Sequence, residues 1–186
     1  VIGLIILSPF MLIIAAAIKI DDGGSIIYKQ KRLTINGKEF FVYKFRSMIP
    51  NAEKNGVPQL ATGSDSRITR VGKFLRKCRL DELPQLFNII KGDMSVEGPR
   101  PERPELTEKY EREMPEFKFR LKVKAGLTGY AQVTGVYDTT PYDKLKMDLM
   151  YIERYSMVMD LRIILMTIKT MISPGEMNSE ADKEKY

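Results

Sequence analysis

Residues 1–18 read VIGLIILSPFMLIIAAAI and carry no charged side chain. As a helix this run is about 27 Å long, close to the thickness of a bilayer's hydrocarbon core. Runs this apolar are rare in soluble domains, which favours a membrane helix over a helix buried in a soluble core. A secretory signal is a third interpretation, because Ala15-Ala16-Ala17 has the small residues of a cleavage site. The charge at Lys19 and the absence of cysteine pairs argue against that third interpretation.

Ser8 and Pro9 lie near the middle of this segment. Proline has no N–H, so a kink is expected and one carbonyl in the preceding turn loses its hydrogen-bond donor. In lipid that carbonyl needs another partner, and the Ser8 hydroxyl is a candidate. The residues alone leave two membrane arrangements open for the predicted membrane segment at 1–20: a helix that spans the bilayer, and a broken, re-entrant helix that enters and leaves by one face.

The composition narrows the chemistry of the rest of the chain. A formal net charge of +6 is consistent with anionic partners, or simply with solubility. One cysteine, Cys78, cannot form an internal disulfide, which suits a reducing, cytoplasmic environment. Because the chain has no histidine, Ser-His-Asp and Cys-His nucleophile systems and Cys/His metal sites are excluded. Acid–base chemistry would have to use carboxylates, lysine or tyrosine.

Beyond the turn signal Asp21-Asp22-Gly23-Gly24, two extended stretches, IIYKQKRL (26–33) and KEFFVYKF (38–45), predict a hairpin. Asn36-Gly37 lies between them, and both residues tolerate the positive φ of a tight turn. A loop follows at 50–66. Residues 67–79 then predict a helix with one apolar and one basic face, suited either to an anionic membrane surface or to water.

The remaining stretches mix strand and helix signals. Residues 116–124 read EFKFRLKVK, and this alternation predicts a half-buried strand. Thr140-Pro141 predicts the start of one helix, and Ser156 can cap another. The mixture predicts an α+β fold with a hairpin, basic amphipathic helices and a small sheet. We expect one catalytic domain at 21–174 and a flexible tail at 175–186. Because the chain opens on Val1, we expect a piece of a longer protein.

The densest group of reactive residues is at 79–102, RLDELPQLFNIIKGDMSVEGPRPE. Asp81 and Glu82 are adjacent, so on an α-helix their side chains would diverge by about 100°. Pro84 makes a bend or a helix boundary plausible nearby. By itself an adjacent acid pair is common at solvated helix ends and says little about function.

Cations around this acid pair change its interpretation. Arg79 precedes the pair, Arg100 lies between two prolines, and Lys44 and Arg46 fall at the end of the second extended stretch. Arginine's planar fork suits phosphate oxygens. Carboxylates with such cations are what metal-assisted phosphoryl transfer requires.

With these motifs in order along nearly the whole chain, the sequence resembles the bacterial sugar transferases, the monotopic polyprenol-phosphate phosphoglycosyl transferases. The closing pattern is similar to the branch that builds exopolysaccharide or capsule precursors, often as the C-terminal catalytic part of a longer protein. Ala125, Tyr130 and Glu97 depart from residues that many relatives carry. The matching stretches are Ser8-Pro9, IIYKQKR (26–32), FFVYKFRSM (40–48), RLDELPQLFNIIKGDMSVEGPRPE (79–102), KAGLTGYAQVTG (124–135) and YIERYSMVMDLRIIL (151–165).

The resemblance implies transfer of a sugar-1-phosphate from a UDP-sugar to polyprenyl (undecaprenyl) phosphate, giving polyprenyl-diphospho-sugar and UMP with Mg²⁺ as cofactor. It implies that Asp81 attacks the sugar-linked phosphate and forms a covalent intermediate. Glu82 would bind metal or assist, with Asp81 as the other metal-side carboxylate. The break at Ser8 and Pro9 would make the membrane helix re-entrant. The catalytic domain would then lie at the cytoplasmic face of the bacterial inner membrane.

Further assignments rest on the same resemblance. The expected partners are the UDP-sugar, polyprenyl phosphate and the lipid bilayer, with no nucleic acid and with a homodimer left open. Asp160 is either a group supporting the site or a helix N-terminal acid.

Two alternative functions remain: a metal-dependent hydrolase of nucleotide- or lipid-linked phosphates, and a non-enzymatic protein that binds anionic lipid. The predicted substrate contacts are Lys44, Arg46, Arg79 and Arg100 for phosphate, and Lys124 and Gln132 for the nucleotide.

Overall fold

The computed structural model describes residues 1–50, 52, 65–135 and 139–172. The mixed helix and small-sheet fold is confirmed. The predicted tail at 175–186 and most of the loop at 50–66 lie outside the described residues. The helices are α1 (Ile2–Asp22), α2 (Arg70–Lys77), α3 (Gln85–Ile90), α4 (Pro104–Glu113), α5 (Tyr130–Thr134), α6 (Pro141–Arg154) and α7 (Met157–Ile172). The strands are β1 (Ile27–Leu33), β2 (Glu39–Phe45), β3 (Ser95–Glu97) and β4 (Gly126–Thr128), and short 3₁₀ helices cover Ile35–Gly37, Leu80–Glu82 and Pro115–Lys122.

The described chain divides into two compact units. The first comprises Val1–Lys29 and Tyr43–Leu86, and the second comprises Gln30–Val42 and the described residues from Phe87 onward. The β1–β2 hairpin and α3 contribute residues to both units. The predicted domain boundaries at 20 and 174 stay predictions.

Helix α1 continues through Pro9 and ends at Asp22, where Gly23 adopts a left-handed conformation with φ of 70°. The Ser8 hydroxyl donates to the Ile5 carbonyl at 2.8 Å. Ile5 is four residues before Pro9, so its carbonyl is the one that proline deprives of a donor. The expected role of Ser8 is therefore confirmed. Gly3–Asp22 is long and apolar enough to cross a membrane, judged by length and composition.

The first unit is built around the inner face of α1. Ile14 and Ile18 of this helix form a buried cluster with Phe45 of β2 and Leu75 of α2. Helix α2 is shorter than the predicted 67–79, because it begins after Thr69, whose side chain caps the N–H of Gly72 at 2.9 Å. A Cβ atom on Gly72 would lie 2.0 Å from the Ser47 carbonyl oxygen, so only glycine permits this close packing.

The hairpin forms as predicted, with Asn36 at φ of 58° and Gly37 at φ of 71° in the turn.

In the second unit, β3 and β4 pair in parallel with Ser95 opposite Gly126. Helices α6 and α7 start at the expected caps: Thr140 accepts from the Asp143 N–H at 3.1 Å, and Ser156 accepts from the Met159 N–H at 3.3 Å.

The strand predicted at Glu116–Lys124 is wrong, because Pro115–Lys122 forms a 3₁₀ helix. Its buried residues are Phe117 and Arg120, three apart, which is the period of a 3₁₀ helix rather than of a strand. Proline at the first position favours the helical start. The alternation of charge and aromatic residues did not reveal that one of the cations, Arg120, is buried in an ion pair.

Candidate active site

The predicted acid pair lies on a tight turn of the first unit. Arg79 adopts a left-handed conformation with φ of 55°, which ends the α2 segment and starts the 3₁₀ helix Leu80–Glu82. In a 3₁₀ helix successive side chains are about 120° apart, so Asp81 and Glu82 point in different directions. The two adjacent carboxylates can therefore take separate roles.

Lys44 on β2 fixes the direction of one of these acids. Its ammonium group lies 2.8 Å from Glu82 Oε1, and the two side chains are only 17% and 12% exposed. Because the pair is partly removed from water, it is screened less than a surface ion pair. The structure thus brings Lys44 to Glu82, one of the two acids that the sequence groups with this cation, and Asp81 precedes Glu82 on the same turn.

Arg46 has a different environment from the one predicted for a phosphate ligand. Its guanidinium pairs with both carboxylate oxygens of Asp22, with Nη1 2.5 Å from Oδ2, and its Nε donates to the Ser25 carbonyl. The residue is 8% exposed. A Cβ atom on Gly24 would lie 2.7 Å from Arg46 Nη1, so the glycine makes room for the guanidinium. This geometry favours a structural role in holding the end of α1 to β2.

Arg100 lies in the second unit, on a loop held by backbone bonds. The Gly98 N–H donates to the Thr128 carbonyl at 2.9 Å, and the Gly126 N–H donates to the Pro99 carbonyl at 3.0 Å. Gly98 has φ of 151°, in the region that favours glycine. The loop that carries Arg100 is therefore fixed against β4.

A buried ion pair, which the sequence pattern does not predict, also supports this loop. Arg120 Nη2 donates to the Arg100 carbonyl at 3.0 Å, and Arg120 Nε lies 2.7 Å from Asp148 Oδ2. Burial raises the pKa of Asp148, while the Arg120 charge acts in the opposite direction. In the sequence, Arg120 is one arginine between two apolar residues in the alternating stretch at 116–124. That pattern does not identify Asp148 as its ion-pair partner.

Lys124 and Gln132 lie near the base of the same loop. A Cβ atom on Gly98 would be 2.5 Å from the Lys124 carbonyl oxygen, and one on Gly129 would be 3.3 Å from Gln132 Oε1. The Gln132 amide donates to the Leu127 carbonyl at 3.3 Å. Its Oε1 is buried with no hydrogen-bond partner in the part of the chain that the structure describes.

Asp160, near the start of α7, accepts a hydrogen bond from the Tyr151 hydroxyl at 2.9 Å. Burial, and then this bond, raise the pKa of Tyr151. Burial and the Asp160 charge raise the pKa of the Glu97 carboxyl. Asp160 therefore interacts with both Tyr151 and Glu97 within the second unit, in addition to its place near the N-terminal end of α7.

Across the described ranges, no group of three or more His, Cys, Asp or Glu side chains is arranged to hold a metal ion. This does not conflict with a magnesium site, because Mg²⁺ is commonly held by one or two carboxylates together with substrate phosphates and water. The donor set of Asp81 and Glu82 has that composition.

Comparison with known proteins places these features in a family. The sequence model described as bacterial sugar transferase matches residues 1–174. The chain belongs to the bacterial sugar transferase family. The resemblance expected from the sequence is thus confirmed over the whole described region, which includes the acid turn, the Arg100 loop and α1.

Two of three relatives of this bacterial sugar transferase are named for sugar-phosphate transfer to undecaprenyl phosphate, and the third is named for exopolysaccharide production. The chain is 42% identical to the UDP-N-acetylgalactosamine-undecaprenyl-phosphate N-acetylgalactosaminephosphotransferase of Aeromonas hydrophila, over 93% of this chain and 41% of that protein. It is 42% identical to the UDP-glucose:undecaprenyl-phosphate glucose-1-phosphate transferase of Xanthomonas campestris pv. campestris, over 90% of this chain and 36% of that protein. It is 39% identical to the exopolysaccharide production protein PSS of Rhizobium leguminosarum bv. phaseoli, over 94% of this chain and 91% of that protein. The chain thus spans well under half of the first two relatives and nearly all of the third.

Proposed function

We propose that this sugar transferase moves a sugar-1-phosphate from a UDP-sugar to undecaprenyl phosphate, giving undecaprenyl-diphospho-sugar and UMP in polysaccharide synthesis. The observation that carries the proposal is the family match over residues 1–174, with relatives named for this transfer at 42% identity. The fixed turn with Asp81 and the Lys44–Glu82 pair supports it. Neither the hydrolase nor the lipid-binding scaffold has an observation in its favour.

The proposed reaction has two displacements at one phosphorus atom. First, an Asp81 carboxylate oxygen attacks the phosphorus that carries the sugar, and the bond from this phosphorus to the UMP oxygen breaks with its electron pair leaving on UMP. Second, an oxygen of the lipid phosphate attacks the same phosphorus, and the Asp81–phosphorus bond breaks to restore the carboxylate. Both nucleophiles are chemical groups that are ordinarily anionic near neutral pH, so neither step requires a histidine.

The other residues of the proposed site would position the carboxylates and offset the negative charge of the substrate. Lys44 would hold Glu82 in place, so that Asp81 and Glu82 keep distinct directions. Asp81 and Glu82 stay the predicted metal-side carboxylates. Because their side chains diverge on the 3₁₀ turn, one of them at a time would contact a given Mg²⁺ ion, with substrate phosphates completing its ligands, and the ion would offset the negative charge of the diphosphate. Arg79, Arg100, Lys124 and Gln132 stay predicted substrate contacts. Arg46 is the weakest of the predicted contacts, because Asp22 already binds its guanidinium.

Helix α1 would seat the enzyme in the bacterial inner membrane as a re-entrant helix, with the catalytic residues at the cytoplasmic face. The Ser8–Ile5 bond supports a position in lipid, because it satisfies inside the helix the carbonyl that Pro9 leaves without a donor; the re-entrant path itself rests on the family resemblance. Exposed apolar side chains on α1, such as Ile6 at 70% and Leu12 at 71% exposed, are consistent with contact to lipid.

The proposal is tested by incubating the purified chain with Mg²⁺, undecaprenyl phosphate and a panel of UDP-glucose, UDP-galactose and UDP-N-acetylgalactosamine. We expect UMP release with at least one donor, dependent on the lipid phosphate. The Asp81→Asn variant should lose at least about a thousandfold in rate, in the range seen when a nucleophile is removed. The matched control, Glu108→Gln on the exposed face of α4, should retain it. Sustained UMP release without lipid would instead identify a hydrolase.

A further inference from the structure

We propose that Asp22, the last residue of α1, is a positioning residue for the proposed reaction. It acts on the acid turn, the 3₁₀ helix Leu80–Glu82, through Arg46 and the strand residue Lys44. The inference rests on the proposed function and adds to it a residue outside the predicted site. Its basis is a series of contacts that all lie within the first unit.

The first contact joins the end of α1 to the end of β2. Both carboxylate oxygens of Asp22 pair with the Arg46 guanidinium, and Nη1 lies 2.5 Å from Oδ2. The backbone N–H of Arg46 donates to the Ile26 carbonyl at 2.9 Å, and its Nε donates to the Ser25 carbonyl. A two-point pairing of carboxylate and guanidinium fixes direction as well as distance. The Asp22 carboxylate therefore sets where the end of β2 lies relative to α1.

The second contact joins the same end of β2 to the acid turn. Lys44 lies two residues before Arg46, and its ammonium group is 2.8 Å from Glu82 Oε1. Phe45, between the two cations, is 3% exposed and belongs to the buried cluster formed with α1. Because packed interiors transmit displacement rather than absorb it, a shift of Arg46 would carry Lys44 with it. The position of Glu82 thus depends on a carboxylate at the end of α1.

The acid turn also contacts α1 on its apolar side. Leu80 and Leu83, which flank the two acids, pack against the buried cluster of the first unit. At the start of α2, the Val71 N–H donates to the Asp21 carboxylate at 3.3 Å. A carboxylate is favoured there, because the first N–H groups of a helix have no acceptor within the helix. The last turn of α1 therefore contacts the helix that precedes the acid turn as well as the strand that binds it.

The acid turn needs this support because its own backbone bonds are long. The Glu82 N–H donates to the Arg79 carbonyl and the Leu83 N–H to the Leu80 carbonyl, both at 3.3 Å. These distances exceed the usual range of N–H to oxygen bonds. A turn held in this way takes its geometry from its neighbours, and a misplacement of about 1 Å can lower a rate about a hundredfold. We therefore expect Asp22 to influence kcat without touching the substrate.

Steady-state UMP release tests this role in Asp22→Asn, which keeps the shape of the side chain and removes its charge. We expect kcat to fall by on the order of ten- to a hundredfold, with KM for the UDP-sugar nearly unchanged. Asp22→Glu, which keeps the charge, should recover part of the rate. The matched control is Glu39→Gln, which removes a carboxylate from an exposed pair with Lys31 and should keep the wild-type kcat.

A double substitution separates positioning from a general loss of stability. In the Glu82→Gln background the carboxylate that Asp22 is proposed to position is already removed. Adding Asp22→Asn should therefore lower kcat by a smaller factor than it does in the wild type. The same factor in both backgrounds would overturn the proposal, because the effect would then not pass through Glu82.

Hydrogen–deuterium exchange in detergent micelles provides a readout that needs no turnover. In Asp22→Asn we expect faster exchange in peptides that cover the acid turn, and wild-type exchange in the β4 strand of the second unit. Unchanged exchange at the acid turn, or equally faster exchange in both units, would overturn the proposal. A wild-type protein that releases no UMP with any donor would contradict the proposed function instead. The exchange comparison would then decide whether Asp22 fixes the acid turn.

Discussion

At the scale of single residues, the pairing of Lys44 with Glu82 is the contact closest to the proposed chemistry. We expect Lys44→Met to lower kcat on the order of a hundredfold, because it removes the positive charge beside Glu82 in a site that is proposed to bind a negatively charged diphosphate. Lys44→Arg, which keeps the charge, should restore part of the rate. The measurement is steady-state UMP release with a saturating donor.

Combining the two sides of this pair provides the control. If Lys44 acts by holding Glu82, then Lys44→Met and Glu82→Gln together should cost less than the sum of the single effects. Strict additivity, or an unchanged kcat in Lys44→Met, would argue against a shared role.

A second prediction at this scale concerns Arg46. A structural role predicts that its substitution lowers stability, whereas a substrate-binding role predicts a raised KM for the UDP-sugar. The Arg46 and Asp22 side chains are 9% and 21% exposed. Removing Arg46 leaves the partly exposed Asp22 carboxylate without its hydrogen-bonded partner, so Arg46→Met should destabilise the first unit by about 1–3 kcal/mol. Arg112→Met, which breaks an exposed pair with Glu108, should cost no more than about 0.5 kcal/mol.

Thermal unfolding in detergent micelles measures both Arg46→Met and its control. An Arg46→Met protein of normal stability, with a raised KM for the UDP-sugar, would show instead that this arginine binds phosphate.

At the scale of elements, the packing of β3 against α7 predicts a pH dependence. Burial and the Asp160 charge raise the pKa of Glu97 above its ordinary 4.5. The folded chain therefore holds this proton more tightly than the unfolded chain does. As the pH rises from about 4.5 through the raised value, Glu97 loses its proton in the folded state and its contribution to stability falls.

We expect Glu97→Gln, which keeps a neutral polar group, to flatten this part of the curve of melting temperature against pH. Asp160→Asn should reduce the dependence only in part, because burial is the larger cause of the shift. A Glu97→Gln curve that parallels the wild type as the pH rises above 4.5 would contradict the assignment.

At the scale of the whole molecule, α1 is both the proposed membrane segment and a part of the core of the first unit. Ile18 is 3% exposed within the first unit, whereas Ile20 is 85% exposed. Ile18→Ala should therefore cost about 2–5 kcal/mol by leaving a cavity, and Ile20→Ala should be close to neutral for folding. Unfolding in micelles checks both. Equal effects of the two substitutions would mean that α1 serves as an anchor alone.

Much of the fold followed from local patterns in the sequence. The Ser8–Ile5 bond, the Asn36-Gly37 turn and the Thr140 and Ser156 caps each depend on residues within a few positions of one another. Such features are set by backbone geometry and short-range hydrogen bonds, which a single sequence displays.

The remaining features depend on contacts between distant residues. Arg46 pairs with Asp22, and Arg120 with Asp148, across 24 and 28 positions. Nothing in one sequence distinguishes a buried cation from an exposed one when the neighbouring pattern is the same. For this reason EFKFRLKVK was predicted as a strand, and Arg46 as a phosphate contact. In the site, the grouping of Lys44 with the acid pair was predicted, while the left-handed Arg79 and the 3₁₀ turn were not.

The proposed covalent link between Asp81 and the sugar phosphate can be detected directly by mass spectrometry. The protein is incubated with Mg²⁺ and its UDP-sugar in the absence of lipid phosphate and digested with trypsin, and the peptide at 80–91 is then weighed. We predict a mass gain of one sugar phosphate on Asp81, which disappears when undecaprenyl phosphate is added before digestion. An enzyme that turns over while this peptide stays unmodified, or that carries the adduct on another residue, would contradict the assignment of Asp81 as the nucleophile.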